Sequence, residues 1–468
     1  MIRKELDEPK WKKWAFLALY IFIPLAAFLT SQIAYWPGLI TADSGYQWEM
    51  AKGLQQMNAV HPVAHTILIK LLLKIWDNPA IISLFGVIFM SVAFGFCLFV
   101  LDLKRVNRIL LILAAFIFAL SPNNLVLSIT MWKDIPYTAA LIVSTGLMMY
   151  IATFNKKNAA NNSRLLTLSL YSASIFLNLC WVFRYNGEAV SIGGLFLLII
   201  FMRKESIIKK IVPVILSGLL IGVFANYILP PLVNSLPNAY DYTGKYIARQ
   251  VIGADLQYNA LTADNSDKLW EIFDKSKVKQ KYIPEDFSPI LWDDELWANY
   301  NDSPTAKKDL QDIFFATLKQ KPYTMFENAM SSSNLVWGIS KPDKVQSGDF
   351  AEWTSDEYNP MKIVRTENTL SKAISKYVKY SQTIILFSFF WKNGLWLLIT
   401  MILFVFLLDW KKFRSIYVFF PALLSTASCM IAITAEYRYV WPLYAITPIL
   451  IIYFLYELFI EGKQEVAK

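Results

Sequence analysis

The sequence predicts an all-α polytopic protein that crosses a membrane about ten times. Three observations support this fold class. Hydrophobic residues make up 56% of the 468 residues and charged residues only 17%, with a mean hydropathy of +0.39. Apolar runs of membrane-spanning length recur along the chain, and the loops between them alternate between Lys/Arg-rich segments and segments with mixed polar motifs. A chain of this length and composition is too apolar to be a soluble protein.

Ten apolar runs are expected to span the membrane, each of about the length that a hydrocarbon core requires. They lie at residues 14–35, 79–101, 109–129, 135–154, 165–183, 187–202, 211–229, 383–408, 415–434 and 440–460. The sequence Ser121-Pro122-Asn123-Asn124 interrupts the third run, which should kink there or end early. Residues 61–76 are apolar but short, with Lys70 and Lys74 at helical spacing, which predicts a helix along the membrane surface.

Basic residues cluster in every second loop, and the positive-inside rule predicts that these loops are cytoplasmic. The basic segments are residues 3–13, 104–108, 156–164, 203–210 and 411–414. The first apolar run lacks a small-residue cleavage site, so we expect it to be retained as a signal anchor. An even number of spans then predicts a multi-pass plasma-membrane protein with both termini in the cytoplasm.

A different composition separates the seventh and eighth spans. Residues 230–381 mix Asp, Lys, Asn and Ser with regularly spaced aromatic residues, which is enough apolar surface for a folded domain. We predict an extracytoplasmic, mostly helical domain here. The remaining chain then divides into an N-terminal membrane domain, 1–229, whose first outer loop and surface helix occupy 36–76, and the C-terminal membrane helices with their tail, 382–468.

The net charge of +9 does not indicate nucleic-acid binding. The predicted extracytoplasmic domain is slightly acidic, so the basic excess lies in the membrane part and its short loops, where it favours anionic membrane lipids as partners. The three cysteines, Cys97, Cys180 and Cys429, lie in or beside apolar runs. No disulfide framework is therefore expected.

Asp43 follows the first span, after a Pro37-Gly38 pair that turns the chain out of the membrane. A carboxylate at this position could take the proton from an acceptor hydroxyl during group transfer. The structural alternative is that Asp43 or Ser44 caps the next helix, with Gln47 completing a capping box from Ser44. Because the loop offers another capping residue, we expect Asp43 to be catalytic.

The chain has two histidines, His61 and His65, which are predicted to lie on one face of a helix that begins at Pro62. This spacing suits a divalent metal, with Asp43 as a third ligand. Two histidines alone are a weak signal, and no cysteine or further histidine accompanies them. We therefore expect no metal or other cofactor, and we expect both side chains to line the membrane interface.

Three cations, Lys133, Arg184 and Arg438, are predicted to reach the same membrane face from separate spans. A phosphate at headgroup depth would need such an arrangement, because arginine suits bidentate contact and lysine supplies a point charge. The alternative is that each cation snorkels to lipid phosphate or pairs locally, Lys133 with Asp134 and Arg438 with Glu436. Their common face favours a functional role.

The polar motifs of this face resemble those of bacterial multipass glycosyltransferases of the GT-C type. These motifs are Pro37-Gly38 to Gln47, His61-Pro62 with His65, Trp132-Lys133-Asp134-Ile135-Pro136-Tyr137, Phe183-Arg184-Tyr185-Asn186-Gly187 and Glu436-Tyr437-Arg438-Tyr439. In plan they are similar to dolichyl-phosphate-mannose protein mannosyltransferases and aminoarabinose lipid A transferases, and to poorly characterised proteins of Gram-positive bacteria. The resemblance covers residues 14–229 and 383–460. Many relatives have two adjacent acidic residues where this chain has Asp43-Ser44.

The resemblance implies transfer of a sugar from a polyprenyl-phosphate donor to an extracytoplasmic acceptor, such as a cell-wall polysaccharide, a teichoic acid or another glycan, including a lipid-linked one. Asp43 is then expected to be the base. Lys133, Arg184 and Arg438 are expected to stabilise the leaving phosphate in a single, inverting displacement. Further substrate contacts are expected from Gln47, His61, His65, Trp132, Asp134, Tyr185, Asn186, Glu436 and Tyr437. The aromatic residues could instead belong to the interfacial belt.

Two other functions are compatible with these motifs. A transporter or flippase for lipid-linked saccharides would also bind phosphate, but it predicts charged or Gly/Pro-broken spans near the midplane and pseudo-symmetric halves. Here the predicted domain divides the spans into seven and three, and most charges lie at span ends. A non-catalytic partner in polymer assembly would tolerate loss of Asp43.

Overall fold

The structure is a computed structural model that describes residues 8–154, 159–202, 208–238, 240–340, 359–364, 367–434 and 436–466. Every regular element within these ranges is a helix, and the few β-bridges are isolated. The predicted all-α class is therefore confirmed. Residues 156–158 and 203–207 of the predicted cytoplasmic loops, residues 1–7 and 467–468 of the tails, and residues 341–358 of the predicted domain lie outside the described residues.

The first part of the chain forms the larger share of the helical bundle. Its helices are α1 Lys10–Ala34, α2 Ala42–Lys52, α3 Val63–Ile75, α4 Ala80–Leu103, α5 Arg108–Leu120, α6 Pro122–Leu127, α7 Asp134–Ala152, α8 Ala159–Phe183, α9 Gly187–Met202, α10 Ile208–Val223 and α11 Leu229–Leu232, with a π-helical turn, Phe224–Ile228, before α11.

Short helices follow, and then the last part of the bundle. They are α12 Tyr242–Tyr258, α13 Ala263–Ile272, α14 Lys275–Lys281, α15 Ser288–Leu291, α16 Asp294–Asp302, α17 Ala306–Gln320, α18 Pro322–Ser332, α19 Asn334–Trp337 and α20 Thr369–Ser381. The last part comprises α21 Ile384–Phe390, α22 Gly394–Asp409, α23 Phe413–Ile416, α24 Phe420–Ser428 and α25 Trp441–Val466, with 3-10 turns at Cys429–Ile431 and Tyr437–Tyr439.

Among the described residues, six helical segments are long and apolar enough to cross a membrane. They are Lys10–Ala34, Ala80–Leu103, Asp134–Ala152, Arg164–Phe183, Val212–Leu232 and Trp441–Ile460. The other predicted spans contain shorter apolar helices, Arg108–Leu120, Gly187–Ile200, Gly394–Asp409 and Phe420–Ile431. The chain is thus a polytopic helical protein with apolar helices in all ten predicted runs.

Three of the predicted spans are broken; the break in the third was expected, whereas those in the eighth and ninth were not. The third ends at Leu120 and resumes at Pro122 as α6, in agreement with the expected interruption, because proline is favoured at the first position of a helix. The eighth breaks at Asn393, whose side chain donates to the carbonyl of Val336 (2.7 Å). The ninth is divided into α23, α24 and a 3-10 turn.

Helix α7 lies at the centre of the bundle. It packs against α4, α8, α24 and α25, and its side chains are buried on nearly all sides from Asp134 to Met149. Asp134 opens this helix and is itself completely buried. One end of the central helix therefore places a charged residue inside the protein, and we call this end of the bundle the site end.

Residues 241–332, here called the inserted domain, have their own apolar core. Its buried residues run from Ile247 to Met325, and Ile433 from the bundle joins them. Helix α20 does not share this core, since Val378 packs into the core of the bundle. The inserted domain thus rests on the loop that carries Glu436 and Arg438.

Arg249 of α12 joins the inserted domain to this loop. Its guanidinium donates to the carbonyls of Ala432 (2.6 Å) and Ile433 (3.2 Å), and also to those of Glu285 (3.1 Å) and Ser332 (2.5 Å). The side chain is 3% exposed, and this burial lowers the pKa of Arg249 to about 10. One buried cation therefore holds three separate chain segments together.

We expect Arg249→Met to destabilise the fold by about 3 kcal/mol or more, because it leaves several buried carbonyls without their charged donor. Thermal unfolding of the purified full chain in detergent measures this change. Lys268→Met is the control: Lys268 forms an exposed ion pair with Asp264 (2.8 Å), and its loss should leave the melting temperature almost unchanged. Equal melting temperatures for the two variants would contradict the role given to Arg249.

Candidate active site

The loop between α1 and α2 is fixed at the site end by close backbone contacts. Leu39 N–H donates to the carbonyl of Ile129 (3.0 Å), and Met131 N–H donates to that of Leu39 (2.9 Å). Gly38 has φ +134°, and a Cβ there would lie 2.7 Å from Ser83 and 2.9 Å from the Ile129 oxygen. Only glycine fits this approach. The start of α2 is therefore held beside the start of α7.

Thr41, and not Asp43 or Ser44, caps helix α2. Its hydroxyl accepts from the backbone N–H of Ser44, and the Ser44 hydroxyl accepts from the N–H of Thr41, which together form a capping box. The indole N–H of Trp132 also donates to Thr41 Oγ1 (2.6 Å). The predicted box from Ser44 to Gln47 is wrong, because the helix begins earlier, and the carboxylate of Asp43 is not needed as the cap.

Asp43 contacts two of the three predicted cations. Its Oδ2 atom lies 2.9 Å from Nη1 of Arg438 and 3.3 Å from Nζ of Lys133. Its Oδ1 atom faces His61 Nε2 at 4.0 Å, beyond hydrogen-bond distance. The side chain is 28% exposed. One carboxylate oxygen is thus held by cations and the other is open to a further partner.

Burial alone would raise the pKa of Asp43, but Arg438, Lys133 and His61 outweigh it and hold this pKa well below its usual range. Asp43 is therefore ionised near neutral pH. The alternative in which Lys133 pairs with its neighbour Asp134 is wrong, since Lys133 instead contacts Asp43, 90 residues away in the chain.

His61 lies in the loop before α3, because that helix begins at Val63. The prediction that His61 and His65 share a helical face is therefore wrong. Lys133 Nζ donates to His61 Nδ1 (3.1 Å), which fixes the tautomer with hydrogen on Nε2, facing Asp43. Burial and Lys133 lower the pKa of His61 to about 3, so the ring is neutral.

Arg438 is bound by two carboxylates. Its Nε lies 2.5 Å from Glu436 Oε2, so the predicted local pair is present, and Asp43 contacts its other edge. The guanidinium also lies over the ring of Trp132, 4.5 Å from the centroid. Burial, together with the nearby Asp43, raises the pKa of Glu436. Arg438 therefore joins one firmly ionised carboxylate to one that protonates more easily.

Arg184 and Asp134 form a second, deeper pair. Arg184 Nη1 lies 3.1 Å from Asp134 Oδ1, and the two side chains are 8% and 0% exposed. Tyr439 separates this pair from Arg438, because its ring lies 4.8 Å from the Arg184 guanidinium and 5.2 Å from that of Arg438. The three cations therefore do converge at one end of the bundle, but Arg184 lies behind the other two.

Sequence reasoning missed Tyr439 as a site residue and chose Tyr437. Residues 437–439 form a 3-10 turn with three residues per turn, so Glu436 and Tyr439 face the same side. The Tyr439 hydroxyl donates to Glu436 Oε1 (3.4 Å). Tyr437 instead accepts from Asn123 (2.9 Å) and packs on Trp391. A spacing of three from Glu436 was the signal that could have found it.

The remaining predicted contacts are occupied within the protein. Gln47 and His65 are buried and bond to each other (3.2 Å), which joins α2 to α3. Tyr185 donates to the carbonyls of Ala59 (2.7 Å) and His61 (3.1 Å), and Asn186 donates to Ser428 (3.1 Å). A direct substrate contact by Gln47 or His65 would require their mutual bond to break.

The histidine geometry bears on metal binding. Lys133, a cation, contacts His61, and His65 bonds to Gln47, so the two rings serve different partners. Across the part of the chain that the structure describes, no cluster of three or more His, Cys, Asp or Glu side chains is arranged to hold a metal ion. The predicted alternative of a His61, His65 and Asp43 metal site does not fit this arrangement.

We expect the two histidines to make the fold sensitive to acid. Burial lowers the pKa of His65, as of His61, to about 3, against 6.5 when unfolded. Only the unfolded chain then takes up protons between these values, so stability is full above pH 6.5 and is lost as the pH falls toward 3. Each histidine should lower the free energy of unfolding by about 2 kcal/mol at pH 5 relative to pH 7. Melting temperatures at pH 7 and 5 measure this.

His65→Asn is the test variant, because its amide can keep the bond to Gln47 without titrating. The loss of stability between pH 7 and 5 should shrink by about half relative to the unmodified chain. The same pH dependence in both proteins would contradict the neutral, buried state of His65.

Comparison with known proteins adds one likeness of overall fold. No protein-family model and no curated protein matches this sequence. One similar solved structure is the archaeal oligosaccharyltransferase AglB from Archaeoglobus fulgidus in complex with an inhibitory peptide and a dolichol-phosphate, with a TM-score of 0.43 and 12% identity. The alignment covers 98% of this chain and 52% of that chain, so this chain spans about half its length. A likeness this weak carries no argument about function, which must rest on the site itself.

Proposed function

We propose that this protein is a membrane glycosyltransferase that moves a sugar from a polyprenyl-phosphate donor to an acceptor hydroxyl, with inversion of the anomeric centre. The observation that carries the proposal is the Asp43 carboxylate, whose Oδ2 atom contacts Arg438 and Lys133 while its Oδ1 atom has no hydrogen bond to the nearby His61. A base and two phosphate-binding cations at one membrane end are the groups that such a displacement needs.

In the proposed reaction the acceptor oxygen attacks the anomeric carbon and its proton passes to Asp43 Oδ1. The bond from that carbon to the phosphate oxygen breaks, and polyprenyl phosphate leaves as an anion. Lys133 and Arg438 stabilise the charge on the leaving oxygen, so no general acid is needed. Arg184, paired with Asp134 behind Tyr439, supports this positive field from deeper in the bundle.

The two cations also weaken Asp43 as a base, because they hold its pKa low. A donor phosphate that takes over contacts with Arg438 and Lys133 would relieve this effect and raise the pKa of Asp43 toward a useful value. Binding of the donor and activation of the base are then coupled. Asp43 should gain its full basicity only in the presence of the donor.

A reconstituted transfer assay tests the proposal. The lipid-linked sugar that accumulates in cells lacking the protein identifies the donor, and the purified chain in vesicles is then supplied with that donor and an acceptor. We expect release of free polyprenyl phosphate and a product of opposite anomeric configuration. A transporter would move the intact lipid-linked sugar between leaflets and release no polyprenyl phosphate, and an assembly partner would do neither.

We propose that no divalent metal takes part, since Lys133 and Arg438 can neutralise the leaving phosphate. Treatment with a chelator should leave transfer within about twofold of the untreated rate, a change of less than about 0.5 kcal/mol in the barrier. His65→Ala should reduce the rate only partially, because it removes the bond from His65 to Gln47 that joins α3 to α2. Activity that disappears with chelator and returns with Mn²⁺ or Mg²⁺ would contradict this and would assign Asp43 as a ligand.

A further inference from the structure

A cavity of about 390 Å³ lies between the end of α1 and helix α20, apart from the residues around Asp43. The Tyr35 hydroxyl bonds to Ser375 Oγ (2.7 Å), and the Asn368 amide donates to the carbonyl of Ala34 (3.1 Å). These contacts fix α20 beside the last turn of α1, at the site end. The cavity is therefore a built groove between two helices that are bonded to each other.

Lysines form one wall of this groove. Lys372, Lys376 and Lys379 are four and three residues apart, so they lie along one face of α20, and all three line the cavity. Glu367 also lines it and contacts Lys372 (3.4 Å), but both side chains are exposed and such a pair is weak. Among the described residues that line the cavity, lysines outnumber acidic side chains.

The opposite wall is apolar and continues into the membrane. Ile33 of α1 is 65% exposed and Trp36 is 48% exposed, and both line the groove. Below them, Phe22 and Leu19 lie exposed on the same side of α1. The ring of Trp36 lies 6.0 Å from that of Trp76, and tryptophan is enriched at the membrane interface. A strip of exposed apolar side chains, Leu19, Phe22 and Ile33, thus runs along α1 and ends beside the lysines of α20.

We propose that this groove binds an anionic phospholipid of the surrounding bilayer, with its phosphate on the lysine row and one acyl chain along the exposed face of α1. Charge complementarity favours an anionic headgroup, because the row that carries Lys372 and Lys376 attracts an anion and repels a cationic ligand. The apolar strip on α1 favours a ligand with an acyl chain, because a free phosphate would leave these side chains uncovered. The site is separate from the proposed transfer reaction and does not depend on it.

Native mass spectrometry of the detergent-purified full chain tests this proposal. The protein is titrated with phosphatidylglycerol and, separately, with phosphatidylcholine of the same acyl chains. We expect tight binding of phosphatidylglycerol only. In K372Q/K376Q its affinity should fall roughly 30-fold, since each lysine near an anionic headgroup is worth about fivefold.

The matched control is K319Q/K321Q, which removes two exposed lysines of the inserted domain and should leave binding unchanged. Both variants should elute as single species and melt within a few degrees of the unmodified chain. Equal binding of the two phospholipids, or unchanged binding in K372Q/K376Q, would overturn the proposal. Displacement of phosphatidylglycerol by an equimolar polyprenyl phosphate would overturn it too, because the groove would then take a different lipid.

Discussion

Asp43→Asn should abolish sugar transfer while the protein stays folded in the membrane. The substitution removes the proposed base, and the loss of general-base catalysis typically costs about 10²- to 10⁴-fold in rate. Thr41 caps helix α2, so the start of the helix does not depend on Asp43. Arg438 keeps Glu436 as a partner and Lys133 keeps His61, so neither cation is left unpaired. The measurement is the single-turnover rate at saturating donor.

Asp77→Asn is the matched control. Asp77 is exposed and pairs with Lys52 (2.6 Å), which lies in helix α2 with Asp43. Loss of the Asp77 carboxylate should therefore change neither the transfer rate nor folding. Near-normal turnover in Asp43→Asn would show that Asp43 is not the base. Loss of the folded protein, detected as aggregation on gel filtration, would assign Asp43 a structural role instead.

Arg438→Gln should weaken use of the donor more than use of the acceptor. Loss of a charge-assisted contact to phosphate costs about 1.5–3 kcal/mol, which corresponds to roughly a 10- to 100-fold rise in the donor KM. The donor KM of Arg438→Lys should lie between those of the unmodified chain and Arg438→Gln, because lysine keeps the charge but lacks the planar guanidinium. Lys52→Gln is the control on the same membrane end. A donor KM that stays constant while the acceptor KM rises would contradict the phosphate role.

Arg184 requires a paired change, because Asp134 is completely buried against it. Removing Arg184 alone would leave a buried carboxylate unpaired, at a cost of about 3–5 kcal/mol. The double variant Asp134→Asn with Arg184→Met removes both charges and keeps the volume. If Arg184 supports the phosphate field, the donor KM should rise in this variant as well, but less than in Arg438→Gln.

Hydropathy predicted the apolar helices of the bundle because apolar length is a local property of the sequence. Their interruptions were harder to predict. The break at Ser121-Pro122 has a local cause in proline, whereas the break at Asn393 depends on a bond to Val336, 57 residues away. Local patterns predicted which charged residues share the site end of the bundle, but not how they pair.

The pairing of Lys133 shows why. The sequence offered its neighbour Asp134 as an alternative local partner, but α7 directs Asp134 inward to Arg184 and Lys133 toward Asp43. Two adjacent residues at a helix start point in different directions, and only the packing of α2 against the start of α7 decides their partners. The roles of these residues in catalysis stay predictions until the variants are measured.

The ion pairs of the site also set its charge balance. Among its described side chains, Lys133, Arg184 and Arg438 face the carboxyl groups of Asp43, Asp134 and Glu436, so an entering anion adds uncompensated negative charge. Glu436, whose pKa is raised by burial and by Asp43, takes up a proton more easily than Asp43, whose pKa is held low by the cations. Anion binding should therefore be accompanied by proton uptake, and the affinity for an anion should increase as the pH falls.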